Sequence, residues 1–194
     1  MIKAPTKESI MNRLALCLSI IATVASATNS TAQTALPYAG QEQRSIKALS
    51  EDELRELREG RGMGLAKAAE LNSFPGPLHV LELGDQLGLS DEQRKATESL
   101  KTSMRGTAQA IGGKIIEAER NLDLAFATGR IDPTILRSQV NAIAKLQGEL
   151  RAAHLEAHLA QRSLMTPEQI SRYDTLRGYG GKRTQHGTQR HGDH

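Results

Sequence analysis

Two stretches of this 194-residue chain repeat apolar residues at the period of an α-helix for longer than any other pattern in it. Over residues 91–128, Gln93, Ala96, Thr97, Leu100, Met104, Thr107, Ala108, Ile111, Ile115, Ala118, Leu122, Ala125 and Phe126 fall on one stripe. Over residues 133–164, Ile135, Leu136, Gln139, Val140, Ile143, Leu146, Gln147, Leu150, Ala153, Ala157 and Leu164 do the same. At about 1.5 Å of rise per residue these helices would measure roughly 57 Å and roughly 48 Å. Only Gly129-Arg130-Ile131-Asp132 separates them, and a join that short forces an antiparallel hairpin. The chain therefore reads as all-α: a long antiparallel helical hairpin with shorter flanking helices.

Local punctuation supports these boundaries. Ser90 with Gln93 has the spacing of a capping box, and Gly129 suits a left-handed stop. Asp132 offers a cap to the second long helix, and Pro133 fits its first position, where an N–H has no partner to lose. Ser50 with Glu53 starts an earlier helix, which Gly60, Gly62 and Gly64 interrupt. A turn at residues 72–77 leads into a short helix over residues 78–87. Thr166, Pro167 and Gln169 open a final short helix carrying Ile170, Tyr173 and Leu176. Gly106, Gly112 and Gly113 lie off the main stripe of the first long helix, where they let it curve or let another chain come close.

The ends of the chain read differently. Lys3, Lys7 and Arg13 precede an apolar run over residues 14–24, and Ala25-Ser26-Ala27 follows as a small-residue cleavage site. This is the pattern of a secretory signal peptide cleaved after Ala27, and the run is too short to span a bilayer. The only cysteine, Cys17, lies inside it, so an exported mature chain must hold together without disulfides. The expected organisation is a signal peptide over 1–27, a flexible linker over 28–49, a helical domain over 50–177, and a disordered histidine-containing tail over 178–194.

Charge and composition exclude some functions. Without Lys3, Lys7, Arg13 and Glu8 the net charge is about +1, and much of the remaining basic excess sits in the tail, so nucleic acid is not an expected partner. Aromatic residues make up 3% of the chain and tryptophan is absent. A core of Leu, Ile, Ala and Met between two helices is thin, which favours a homodimer.

Leu89-Ser90-Asp91-Glu92-Gln93 and Met165-Thr166-Pro167-Glu168-Gln169 are two copies of an LTxxQ-like pattern flanking the hairpin. Leu89, Ser90 and Gln93 carry the first, and Met165, Thr166 and Gln169 the second. Ser90 stands for Thr and Met165 for Leu, substitutions that keep the capping hydroxyl and the apolar contact. With the leader, this arrangement resembles the Spy/CpxP family of periplasmic proteins, including its heavy-metal sensor and resistance branch. The resemblance spans residues 78–179. It implies a cradle-like antiparallel dimer and a role as an ATP-independent chaperone, a stress-signalling inhibitor or a metal-responsive protein.

Three functional readings follow. The first is a periplasmic holdase for unfolded proteins. Leu155, Leu159, Ile116 and Leu124 lie off the main stripes, where apolar side chains mark a client or dimer surface. The second is a periplasmic heavy-metal sensor or resistance protein signalling to a membrane-bound sensor or anti-sigma partner. His154 and His158 are one turn apart and present two imidazoles on one face, with a third ligand expected from His79, Glu82, Met165 or a second chain. His186, His191 and His194 offer an auxiliary site. No cofactor is required; imidazole ligands suit a divalent transition metal such as zinc, copper, nickel or cobalt. The third reading, an enzyme, has little behind it. In His154-Leu155-Glu156-Ala157-His158 the glutamate stands one place too late for a zinc-protease helix. The glycines around residue 62 do not follow a strand, so they are no phosphate loop.

Overall fold

The computed structural model describes residues 38–179. The signal-peptide region, the linker region before residue 38 and the tail histidines His186, His191 and His194 lie outside the described residues. A 3-10 turn at Gln41–Gln43 leads to α1 (Glu51–Glu59), α2 (Lys67–Glu70), α3 (Pro77–Glu82), α4 (Gly84–Leu87), α5 (Asp91–Ala127), α6 (Pro133–Ser163) and α7 (Pro167–Leu176). Among the described residues there is no strand. The two long helices are the hairpin, 37 and 31 residues long.

Helix ends fall where the sequence places them. Ser50, Ser90 and Thr166 each close a complete capping box, with Glu53, Gln93 and Gln169 respectively. The Asp132 carboxylate accepts from the backbone N–H groups of Thr134 and Ile135. Gly60, Gly88 and Gly129 take positive φ and end α1, α4 and the hairpin's first arm. The short helix expected over residues 78–87 is two pieces, broken at Leu83.

The apolar stripes do not feed one continuous core. One cluster joins Ile46, Leu54 and Leu57 to Ala108, Ile115, Ile116 and Leu150 across the middle of the hairpin. A second joins Val80, Leu87, Met165 and Tyr173 at its open end. Between them on the two long helices sit four buried polar residues, Thr97, His154, His158 and Gln161. Towards the hairpin turn no third element among the described residues covers the stripe: Phe126 is 56% exposed and Val140 46%.

Three expectations need correcting. Ile116 is no client or dimer surface, because it is only 5% exposed inside the first cluster. α1 crosses α5 so closely that a Cβ on Gly112 would stand 2.3 Å from the Leu57 carbonyl oxygen. Ile116, one turn after Gly112, lies under the same crossing, which covers a face that the main stripe does not predict. Gly112 thus admits a segment of its own chain rather than another chain. Finally, the expected linker contributes to the fold before residue 50, since Ile46 is buried and Leu49 packs beside it.

Candidate functional site

The two LTxxQ-like motifs meet. Within each box the glutamine side-chain oxygen accepts from the backbone N–H of its own cap residue, Ser90 or Thr166, at 3.0 Å. The same two amides then face each other. Gln93 Nε2 donates to Gln169 Oε1 at 2.9 Å, and Gln169 Nε2 donates to Gln93 Oε1 at 3.0 Å. Each also donates across to the carbonyl just before the other motif: Gln93 to Leu164 at 2.8 Å, Gln169 to Gly88 at 3.4 Å. The arrangement is a local two-fold in which every donor and acceptor of both amides is used. Leu89 and Met165, at the first position of each motif, pack into the second apolar cluster. The motif therefore fastens the start of α5 to the start of α7, residues 76 apart in sequence.

A second polar centre lies beside it. Glu70 ends α2, and its carboxylate accepts from the Tyr173 hydroxyl at 2.5 Å, the Tyr179 hydroxyl at 3.1 Å and the Gly76 backbone N–H at 3.2 Å. Arg177 stands 3.6 Å and His158 3.7 Å from it. Burial, then the Glu70 carboxylate, push the Tyr173 hydroxyl well above the usual tyrosine range, so it remains a donor. Sequence reading missed Glu70, which sits in no motif and on no long stripe. The available signal was Tyr173 itself, since a buried tyrosine hydroxyl requires a partner.

The candidate metal ligands are only partly gathered. His154 and His158 share a buried face of α6, 3% and 9% exposed. His158 Nδ1 donates to the Phe74 carbonyl at 2.7 Å. His154 bonds the Arg61 backbone, while its Nε2 is buried without a partner. The two imidazoles thus fasten opposite ends of the segment between α1 and α3 onto the hairpin. His79 and Glu82 face each other at 2.9 Å on α3. Among the described residues no three His, Cys, Asp or Glu side chains converge as a metal site, so this second pair does not complete the first. Met165, the soft alternative, is buried in the apolar cluster.

Of the proposed apolar surface residues, Leu124 is 57% and Leu159 56% exposed, and Leu155 is half-buried. Leu159 borders a groove with Phe74, Arg162 and Ile170, where the Arg162 guanidinium stacks 4.5 Å over the Phe74 ring.

This geometry defines an all-helical hairpin protein closed by two interlocked capping boxes. The chain belongs to the LTXXQ motif family, whose model matches residues 78–177, the span from α3 to the end of α7. No curated protein matches the chain, and no solved structure does.

Proposed function

We propose that this chain is a periplasmic holdase of the envelope-stress kind, binding unfolded proteins without ATP and without catalysis, and working as a homodimer. Family membership supports the compartment, since LTXXQ proteins are typically periplasmic. The observation that carries the reading is the exposure of Leu124 and Leu159, which lie off the stripes that the helices use to pack. Leu159 rims a groove with Phe74 and Ile170, edged by Arg162, and an apolar patch bordered by polar groups gives weak, sequence-tolerant contacts to an unfolded chain, which is what a holdase requires. The test is suppression of aggregation of a chemically denatured client. The mature protein should suppress it near one dimer per client, and Leu124→Ser with Leu159→Ser should lose most of that effect at unchanged melting temperature. No suppression by the unmodified protein would refute the proposal.

A second reading, metal sensing without chaperone activity, is favoured by one observation: the buried, unpartnered Nε2 of His154 beside His158. A backbone bond on the other ring nitrogen is the usual way a ligating imidazole is oriented. Two ligands alone make a weak site, and a membrane-bound partner or the second protomer would have to supply more. Calorimetry with zinc or copper on protein ending at Tyr179 tests it. Binding that survives His154→Ala with His158→Ala would assign the metal elsewhere.

A further inference from the structure

Between α1, the glycine-rich loop after it and the middle of α6 lies a cleft of about 440 Å³. Its size falls within the roughly 300–1,000 Å³ of small-molecule sites. The floor is Leu57, Ile115 and Leu150, all buried, and no aromatic side chain lines it. Two features of its wall are unexplained by packing within the chain. Gly148 stands in the middle of α6, where glycine weakens a helix, yet a Cβ there would meet nothing within 4 Å. Met63 holds a left-handed backbone at φ 45° with its side chain 38% exposed at the rim. Such a conformation is unfavourable for a residue with a Cβ and tends to mark functional sites.

The rim is chemically uneven. Glu53 is committed: its carboxylate accepts from the Ser50 backbone N–H at 2.8 Å and the Ser50 hydroxyl at 2.7 Å. Arg151 and Gln147 also line the cleft, one turn apart, and among the described residues neither has a hydrogen-bond or ion-pair partner. A guanidinium and an amide beside an aliphatic trough match one kind of small molecule. We propose that this cleft binds a straight-chain aliphatic carboxylate, with the acyl chain against Leu49, Leu65 and Met63 above the buried floor and the carboxylate at Arg151 and Gln147. Gly148 leaves room for the chain to lie against the α6 backbone. A peptide segment fits less well, because the rim offers few groups to its backbone.

Fluorescence titration with dansylaminoundecanoic acid, then displacement by dodecanoate below its micelle concentration, tests the proposal on the mature protein. Saturable binding at one site per chain is expected. Gly148→Leu fills the trough and strengthens the helix, so it should weaken binding by at least about tenfold without lowering the melting temperature. Arg151→Gln should abolish the preference for dodecanoate over dodecanol, and Leu124→Ser with Leu159→Ser should leave binding unchanged. Absence of saturable binding, or binding equally strong in Gly148→Leu, would overturn the proposal. So would association with phosphatidylglycerol vesicles in the absence of dodecanoate binding, which would point to a membrane surface as the source of the same chemistry.

Discussion

At the scale of single residues, the glutamines of the two motifs act through their amides rather than through polarity alone. A glutamate caps a helix equally well, as Glu53 does at α1. At positions 93 and 169 it could not replace glutamine, because each side chain must donate twice as well as accept. Gln93→Glu keeps the cap, loses both donors and sets a charge against the Leu164 carbonyl. It should cost about 2–3 kcal/mol in urea unfolding, whereas Glu53→Gln should change stability by about 0.5 kcal/mol or less. Equal effects would mean that the cross-bonding is energetically idle. The capping role was legible from a spacing of three residues; the cross-bond was not, because local sequence does not reveal which distant amide will face it. His154 carries a separate prediction. Burial, then the neighbouring His158, hold its imidazole below the usual histidine range, against a hydrogen bond to the Arg61 backbone. The folded state resists the proton that the unfolded chain accepts. Stability from this site is therefore complete above about pH 6.5 and is lost as pH falls below it. In chelator-treated protein, the melting temperature should fall more steeply between about pH 7 and about pH 5 than in His154→Gln, and parallel curves would refute this.

At the scale of elements, the two long helices and their ends were readable because they depend on short-range chemistry: period, caps, Pro133 and Gly129. Coverage of the helices was not readable in the same way. A stripe shows which face a helix can bury, but not which third element lies across it. α1 lies over Gly112 and hides Ile116, while Phe126, Ile135, Leu136 and Val140, all on the predicted stripes, stay partly exposed with no third helix across them among the described residues. The histidine site shows the same division: the i, i+4 pair was local and legible, its expected partners on α3 were not brought to it. The crossing yields a sharp comparison within one helix. A Cβ at Gly112 meets backbone atoms of Leu57 that cannot swing aside, whereas one at Gly113 meets nothing within 4 Å. Gly113→Ala should stabilise the protein by about 0.5–1 kcal/mol through helix propensity. Gly112→Ala should destabilise it by about 1–3 kcal/mol, the range of overpacking, despite the same gain in propensity. Thermal melts of the two variants decide this, and stabilisation by both would show that α1 is only loosely held.

At the scale of the whole molecule, two small clusters brace the middle and the open end of the hairpin, and among the described residues the turn end is left apolar and partly exposed. Ile135 and Leu136 are 38% and 37% exposed, and with Phe126 and Val140 they continue the packing stripe rather than leaving it. Their place on the stripe separates them from Leu124 and Leu159. A stripe is built to meet another helix, and a second copy supplies one of matching pattern. Stable interfaces bury about 800 Å² per partner, commonly from about 20–30 residues a side. The turn end, from Leu122 through Val140, comes close to that lower bound only if both arms take part, so the contact predicted is two hairpin ends laid side by side. Light scattering on the mature protein at micromolar concentration should give the mass of a dimer. Leu136→Ser with Val140→Ser should give a monomer that still melts cooperatively, because the braced end folds within one chain. Leu124→Ser with Leu159→Ser should leave the dimer intact. A monomeric unmodified protein, or a dimer that survives the Leu136 and Val140 replacements, would remove the turn end from the interface and return its apolar stripe to the client-binding surface.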